Sequence, residues 1–255
     1  MKNLESSLQG ADRIGAWDLA ALFGGGAGGD AARGDAARAE VAPRPGHQTL
    51  LWIVDGEVRH LGEDGFVETV ARGEASVVTS SVGAADAADI AAEAETEPGG
   101  RHRKPDQHAP LRTEHSTDAT GVRLDAVLPH SSNLPASGML EVYQPDPFTL
   151  RGVTTAVSGE ARVFVGSMFG QTSPVETFSP LVAAELRIAP GAEIAVVLEE
   201  SFEYGLLACT EGITVQQVAV PYGSVGYTEP GARTLGVKNT SDDWARGVLL
   251  GGEPL

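Results

Sequence analysis

From Thr49 onward the chain is written in short apolar runs closed by turn residues. TLLWIVD stops at Gly56, and VRH, FVETV and ASVVT follow with glycines between them. Turn signals every 8–12 residues or so predict an all-β sandwich or barrel. In VRLDAVLP, Val122, Leu124, Ala126 and Leu128 alternate with polar or small neighbours, the pattern of a half-buried strand. A proline-containing linker, YQPDPF, comes next. Nine short segments then run to the C-terminus: TTAVSG, ARVFVG, LVAAELRI, EIAVVL, EYGLLAC, ITVQQVAV, SVGYT, RTLGVKN and ARGVLL. Helical periodicity is not convincing in any of them. Two β-barrels in tandem account for the number of strands and for the linker.

Two stretches break this pattern. Before residue 41, Trp17 to Phe23 reads as a short helix. It is followed by GGGAGGDAARGDAARAE, with a tandem Gly-Asp-Ala-Ala-Arg repeat. Glycine carries a high ordering entropy, so flexibility is expected there. Gly24, Gly26 and Gly29 match a dinucleotide-type Gly-x-Gly-x-x-Gly. No convincing strand precedes them, and no acidic residue follows at a distance of about 20, so no dinucleotide site is assigned. The second break, about residues 84–120, includes AADAADIAAEAE, which lacks an apolar stripe and reads as a surface excursion. The expected organisation is a Gly/Ala-rich segment at 1–40, an N-terminal barrel at 41–145 and a C-terminal barrel at 146–255.

Charge narrows the function classes. Among 255 residues the formal net charge is −17, which repels phosphate backbones and anionic lipid headgroups. Neither nucleic acid nor membrane is an expected partner. The basic cluster Arg101, His102, Arg103 and Lys104 reads as a solvated loop. MKNLESSLQG lacks the apolar core of a secretory leader, and Cys209 has no cysteine to pair with. A cytoplasmic protein is therefore expected, with Cys209 as a small buried hydrophobe. Gly-x-Ser-x-Gly is absent. His102, His108 and His115 lack the paired spacing of a zinc site.

Two stretches resemble the pirin family. VGSMFGQTSPVETFSPLVAAELRIAPGA (Val165 to Ala192) is similar to the passage that joins the halves of pirin-like proteins and enters the second barrel. KNTSDDWARGVLLGGEPL is similar to a late strand with its Gly-Glu-Pro-Leu signature. The likeness covers about residues 42–82 and 121–255. It implies a bicupin, all-β, with two tandem jelly-roll barrels, the first holding one iron or similar ion. In the family, two histidines of a His-Pro-His segment and a later His-x-Glu supply the ligands, a set suited to a divalent transition metal. Here the register set by Pro43, Gly46, Thr49 and Gly56 puts Ala42 and Arg44 at the two histidines, and the later pair falls on Asp86-Ala87-Ala88. Alanine has no donor atom, and arginine has no lone pair to give. A displaced ligand segment around Glu114 and His115 would still leave the first pair missing. The resemblance thus implies a lost metal site, with no metal or other cofactor expected.

Within the vacated barrel, Arg44, His47 and Asp86 are the candidate catalytic residues. Arg44 suits a carboxylate or enolate, and His47 titrates near neutrality. An Arg44–Asp86 pair is expected. Gln48, Trp52 and His60 are candidate substrate contacts, with ordinary core or hydrogen-bonding roles as the plain alternatives. A metal-independent binder, or a cyclase or isomerase working by proximity on a hydrophobic metabolite, is the leading expectation. The Ala-, Gly- and Arg-rich composition suggests a high-GC bacterium and a biosynthetic setting. A regulatory or scaffold protein with a protein partner and a metal-dependent dioxygenase with relocated ligands are the alternatives. A monomer is expected, since both barrels lie in one chain.

Overall fold

The structure is a computed structural model that describes residues 3–4, 13–24, 43–62, 65–80, 112–116, 118–129, 139–152 and 157–255. Among them there is no helix, and none long and apolar enough to cross a membrane. The strand pairs are antiparallel. The chain divides into two compact units, Leu22–Gln144 and Met1–Ala21 with Pro145–Leu255. Two tandem cupin-type β-barrels are what the short apolar runs predicted.

Trp17–Phe23, read from sequence as a helix, is a strand. The reason is tertiary. Ile14, Ala16 and Trp17 are buried on the C-terminal unit, where the Trp17 indole Nε1–H donates to the Gly251 carbonyl at 3.1 Å. The Gly15 amide donates to Glu203 Oε1 at 2.5 Å. Gly205 makes room for this strap, since a Cβ there would overlap Ile14 Cδ1. Seven residues held by distant partners extend regardless of local helix propensity.

The C-terminal unit has a seven-stranded sheet and a four-stranded sheet. Its core is mainly apolar, with Val182, Leu186, Ile188, Ile194, Leu206, Leu235, Val237 and Leu249 almost wholly buried and Asn239 buried beside them. The other face of the same large sheet carries a charge ladder. Glu185 receives Arg162 at 3.4 Å and Arg246 at 3.1 Å, and Glu160 receives Arg187 at 3.1 Å.

The N-terminal unit sets a five-stranded sheet against a three-stranded one. The first includes, in order, Thr120–Val127, His47–Asp55, Ala75–Ser80 and Met139–Tyr143. The second is Val67–Ala71, Glu57–Leu61, Arg112–His115. Gly56, at φ +73°, makes the tight turn between His47–Asp55 and Glu57–Leu61, and a Cβ there would stand 2.7 Å from Ala119 Cα. Leu51 and Ile53 pack on Val58 and Val70 between the sheets. The strand at Thr120–Val127 departs from the half-buried pattern: Arg123 and Asp125, at its polar positions, are 6% and 0% exposed. Both faces of this sheet are covered, so the polar members of the alternation point into the barrel rather than to water.

Candidate functional site

Strand register decides which side chains share the barrel interior. In an antiparallel pair, opposed residues project to the same face. Thr49 opposes Asp125 and Val78, and Leu51 opposes Arg123 and Ser76. Since Leu51 packs between the sheets, Thr49, Ser76, Arg123 and Asp125 line the same interior. The opposite face carries Gln48, Leu50 and Trp52, with Ala126, Leu124 and Val122 beside them.

Asp125 is the centre of the polar cluster. Arg123 Nε donates to its Oδ1 at 3.2 Å, and Arg123 Nη2 to its Oδ2 at 3.0 Å. Such a two-pronged pair suits a planar guanidinium and a carboxylate. Arg44 Nη1 also reaches Oδ2, at 3.4 Å. Arg44 lies in the turn before His47–Asp55 and is tied by its backbone as well, its amide donating to Thr49 Oγ1 at 3.3 Å. Thr49 is the cross-strand partner of Asp125. The backbone and the head group of Arg44 are thus held by one rung of the sheet.

His60, on Glu57–Leu61, is fully buried. One ring nitrogen, Nε2, is 2.9 Å from Ser76 Oγ, and Nδ1 is 3.0 Å from Thr113 Oγ1. The first contact joins the two sheets, and the second holds the strand Arg112–His115. Desolvation lowers its pKa to about 4, so the ring is neutral at physiological pH. Both hydroxyls can donate or accept, which satisfies a neutral imidazole in either tautomer.

The other sequence candidates are dispersed. His47 follows Arg44 in the same turn, its amide donating to the Arg44 carbonyl at 3.2 Å. Its Nδ1 is 2.8 Å from the Pro45 carbonyl, which can only accept, so Nδ1 carries the hydrogen. Gln48 donates to Thr79 Oγ1 at 3.3 Å on the far face of the sheet, and Trp52 is buried on that same face. Neither shares the interior with Arg123, Asp125 and His60. Asp86 lies outside the described residues, as do Ala42, His102 and His108. The pairing expected for Arg44 with Asp86 therefore lies outside the described residues, and among those described Asp125 is a carboxylate on Arg44. Cys209, expected to be buried, is partly exposed, and burial, then the Glu185 charge, push its thiol up to about 12.

Sequence reading missed Asp125, Arg123 and Ser76. The available signal was two opposite charges, Arg123 and Asp125, two residues apart on an otherwise apolar strand.

For a divalent metal, the described donors do not fit. Arg44 offers only N–H groups, both oxygens of Asp125 already accept from guanidinium groups, and both nitrogens of His60 are hydrogen-bonded. Among the described residues no three His, Cys, Asp or Glu side chains come together.

Comparison with known proteins agrees with the architecture. A solved quercetin 2,3-dioxygenase from Acinetobacter baumannii superposes with a TM-score of 0.66 at 21% identity, covering 94% of this chain and 70% of that one. The nickel(II)-bound bacterial pirin YhhW from Escherichia coli superposes at 0.58 and 9% identity, covering 95% and 85%. The fold is the one these structures share, a bicupin of two tandem β-barrels. Geobacillus kaustophilus GK1651 superposes on the whole of the bicupin at 0.65 and 16% identity, covering 92% of its own chain. At the level of sequence, the bicupin is 27% identical over 218 residues to a Pseudomonas aeruginosa protein provisionally named quercetin 2,3-dioxygenase. It spans 59% of that relative's length. No family model matches the sequence.

Proposed function

We propose that this bicupin is a metal-independent small-molecule protein, its ligand held in the N-terminal barrel against Arg44. The observation that carries the reading is the Arg44–Asp125–Arg123 cluster, with a guanidinium at the position where the pirin resemblance implies a metal histidine. A fixed guanidinium can polarise a carbonyl or stabilise a developing enolate, one of the tasks a bound cation performs elsewhere. With the substrate folded into a reactive conformation, that suffices for a cyclisation or isomerisation. His47, with hydrogen on Nδ1, is the accompanying proton-transfer group. The C-terminal barrel, its interior filled mainly with aliphatic side chains, supports the fold.

The dioxygenase named for the Pseudomonas relative is the second reading, favoured by the sequence likeness to that relative. One experiment separates the two. Protein stripped with a chelator is titrated with quercetin, and bound metal per chain is measured after iron(II) loading and desalting. Quercetin binding by the stripped protein, weakened in Arg44→Ala, is the expected result. Stoichiometric iron, with binding or turnover seen only in the loaded protein, would restore the dioxygenase. A folded protein that takes neither metal nor ligand would leave a regulatory scaffold.

A further inference from the structure

We infer that Arg123 and Asp125 are positioning residues that aim Arg44 at an anionic oxygen, so that the ligand of the N-terminal barrel is an acidic organic molecule: a carboxylate, enolate or phenolate. This rests on the small-molecule reading above and narrows it to a chemical class.

The argument begins with cost. An ion pair in a barrel interior is not needed for folding, since apolar residues of similar volume are often as stabilising or more so. The chain nevertheless buries the Asp125 side chain completely and leaves Arg123 only 7% exposed. Arg123 is too enclosed to meet a ligand. Its two-pronged contact with Asp125, at 3.2 and 3.0 Å, fixes the carboxylate plane. The fixed carboxylate then takes Arg44 Nη1 at 3.4 Å. Arg44 keeps 43% of its side chain exposed. It is the member of the cluster that an incoming molecule can touch.

Arg44 is also restrained by one rung at both backbone and head group, through its amide on Thr49 and its guanidinium on Asp125, which oppose each other across the strands. A long side chain held in this way has already lost much of its rotamer freedom, so binding a ligand costs less further entropy. A guanidinium carries five N–H donors and no acceptor. Its complement is an oxygen with lone pairs, and a charged oxygen is bound more strongly than a neutral one. A cation or an amine would be refused at the same place.

The test uses the full chain and a pair of probes of nearly the same shape, benzoate and benzamide. Binding is followed by calorimetry and by the Arg44 Nε–H cross-peak in nitrogen-edited NMR, assigned by its disappearance in Arg44→Gln. Benzoate is expected to shift that peak and to bind about 10-fold or more tighter than benzamide. Asp125→Asn is expected to weaken benzoate about 10-fold and to sharpen the Arg44 peak as the side chain becomes mobile. Should Asp125→Asn lose its cooperative unfolding transition, Arg44→Lys serves instead: it keeps the charge and loses the planar fork, and the same loss is expected. Equal affinity for the two probes overturns the anionic class and leaves the small-molecule reading standing. A benzoate preference unchanged by both Asp125→Asn and Arg44→Lys overturns the positioning role. Failure of benzoate, benzamide and quercetin alike removes the small-molecule reading itself.

Discussion

The two barrels solve the same packing problem with different side chains. Between the sheets of the C-terminal barrel lie mostly leucine, valine, isoleucine and alanine, with Met168 and Tyr204 among them. Between those of the N-terminal barrel lie Thr49, His60, Ser76, Arg123 and Asp125, together with a smaller apolar group around Leu51, Ile53, Val58 and Val70. An apolar interior stabilises by surface removed from water and is indifferent to orientation. A polar interior is stable only when each donor and acceptor meets a partner, so it specifies geometry and costs stability when any member is removed. The N-terminal barrel is thus the one whose interior geometry is set by polar contacts. The C-terminal barrel also has charges, Glu185 among them, but they stand on the sheet face opposite its apolar core.

The comparison can be broken most directly at Asp125. Asp125→Ala leaves the Arg123 guanidinium buried without its carboxylate, a loss of about 3–5 kcal/mol. Urea unfolding followed by a probe in each barrel should show the N-terminal transition moving to much lower denaturant and the C-terminal one staying near its place. Equal shifts in both would mean that the barrels do not unfold as separate units.

A somewhat smaller effect is expected from pH. An unfolded histidine takes up its proton near 6.5, whereas folded His60 does so only near 4. Between these values the unfolded chain binds more protons, so stability falls as pH drops. The His60 contribution is fully present above about 6.5, and about 3 kcal/mol of it is gone by pH 4. The thiol of Cys209, with its pKa pushed up to about 12, adds no titration in that window. Comparing urea midpoints across this range for the wild type and His60→Gln checks the origin: the variant should lose most of the slope in the N-terminal transition.

The smallest of these effects sharpens the C-terminal side. The Tyr227 hydroxyl donates to Glu203 Oε2 at 2.6 Å, and Glu203 Oε1 holds the Gly15 amide of the N-terminal strap. Burial, and then the Glu203 hydrogen bond, keep the phenol protonated well above its usual range. Tyr227→Phe should cost about 1 kcal/mol. Hydrogen exchange at Gly15 and Trp17 should quicken while exchange at Leu206 and Leu249 stays slow.

Much of this was legible in the chain. Short apolar runs with glycine and proline breaks determined the strand-rich class and the two-barrel plan, because the period of side-chain alternation is a local property of the backbone. The pirin-like passages from Val165 to Ala192 and at the C-terminus pointed to the same bicupin. Arg44 was legible as a candidate because a residue with no lone pair stood where the resemblance implies a ligand. What the tertiary structure alone decided is where polar residues point. Whether Arg123 and Asp125 face water or a barrel interior depends on what covers each face of their sheet, and alternation is silent on that. The same holds for Gln48 and Trp52, which register placed on the face away from the cluster. It also holds for Trp17–Phe23, where a local preference yielded to partners about 230 residues away, such as the Gly251 carbonyl. Local pattern is written by neighbours in the chain, and burial is written by neighbours in space.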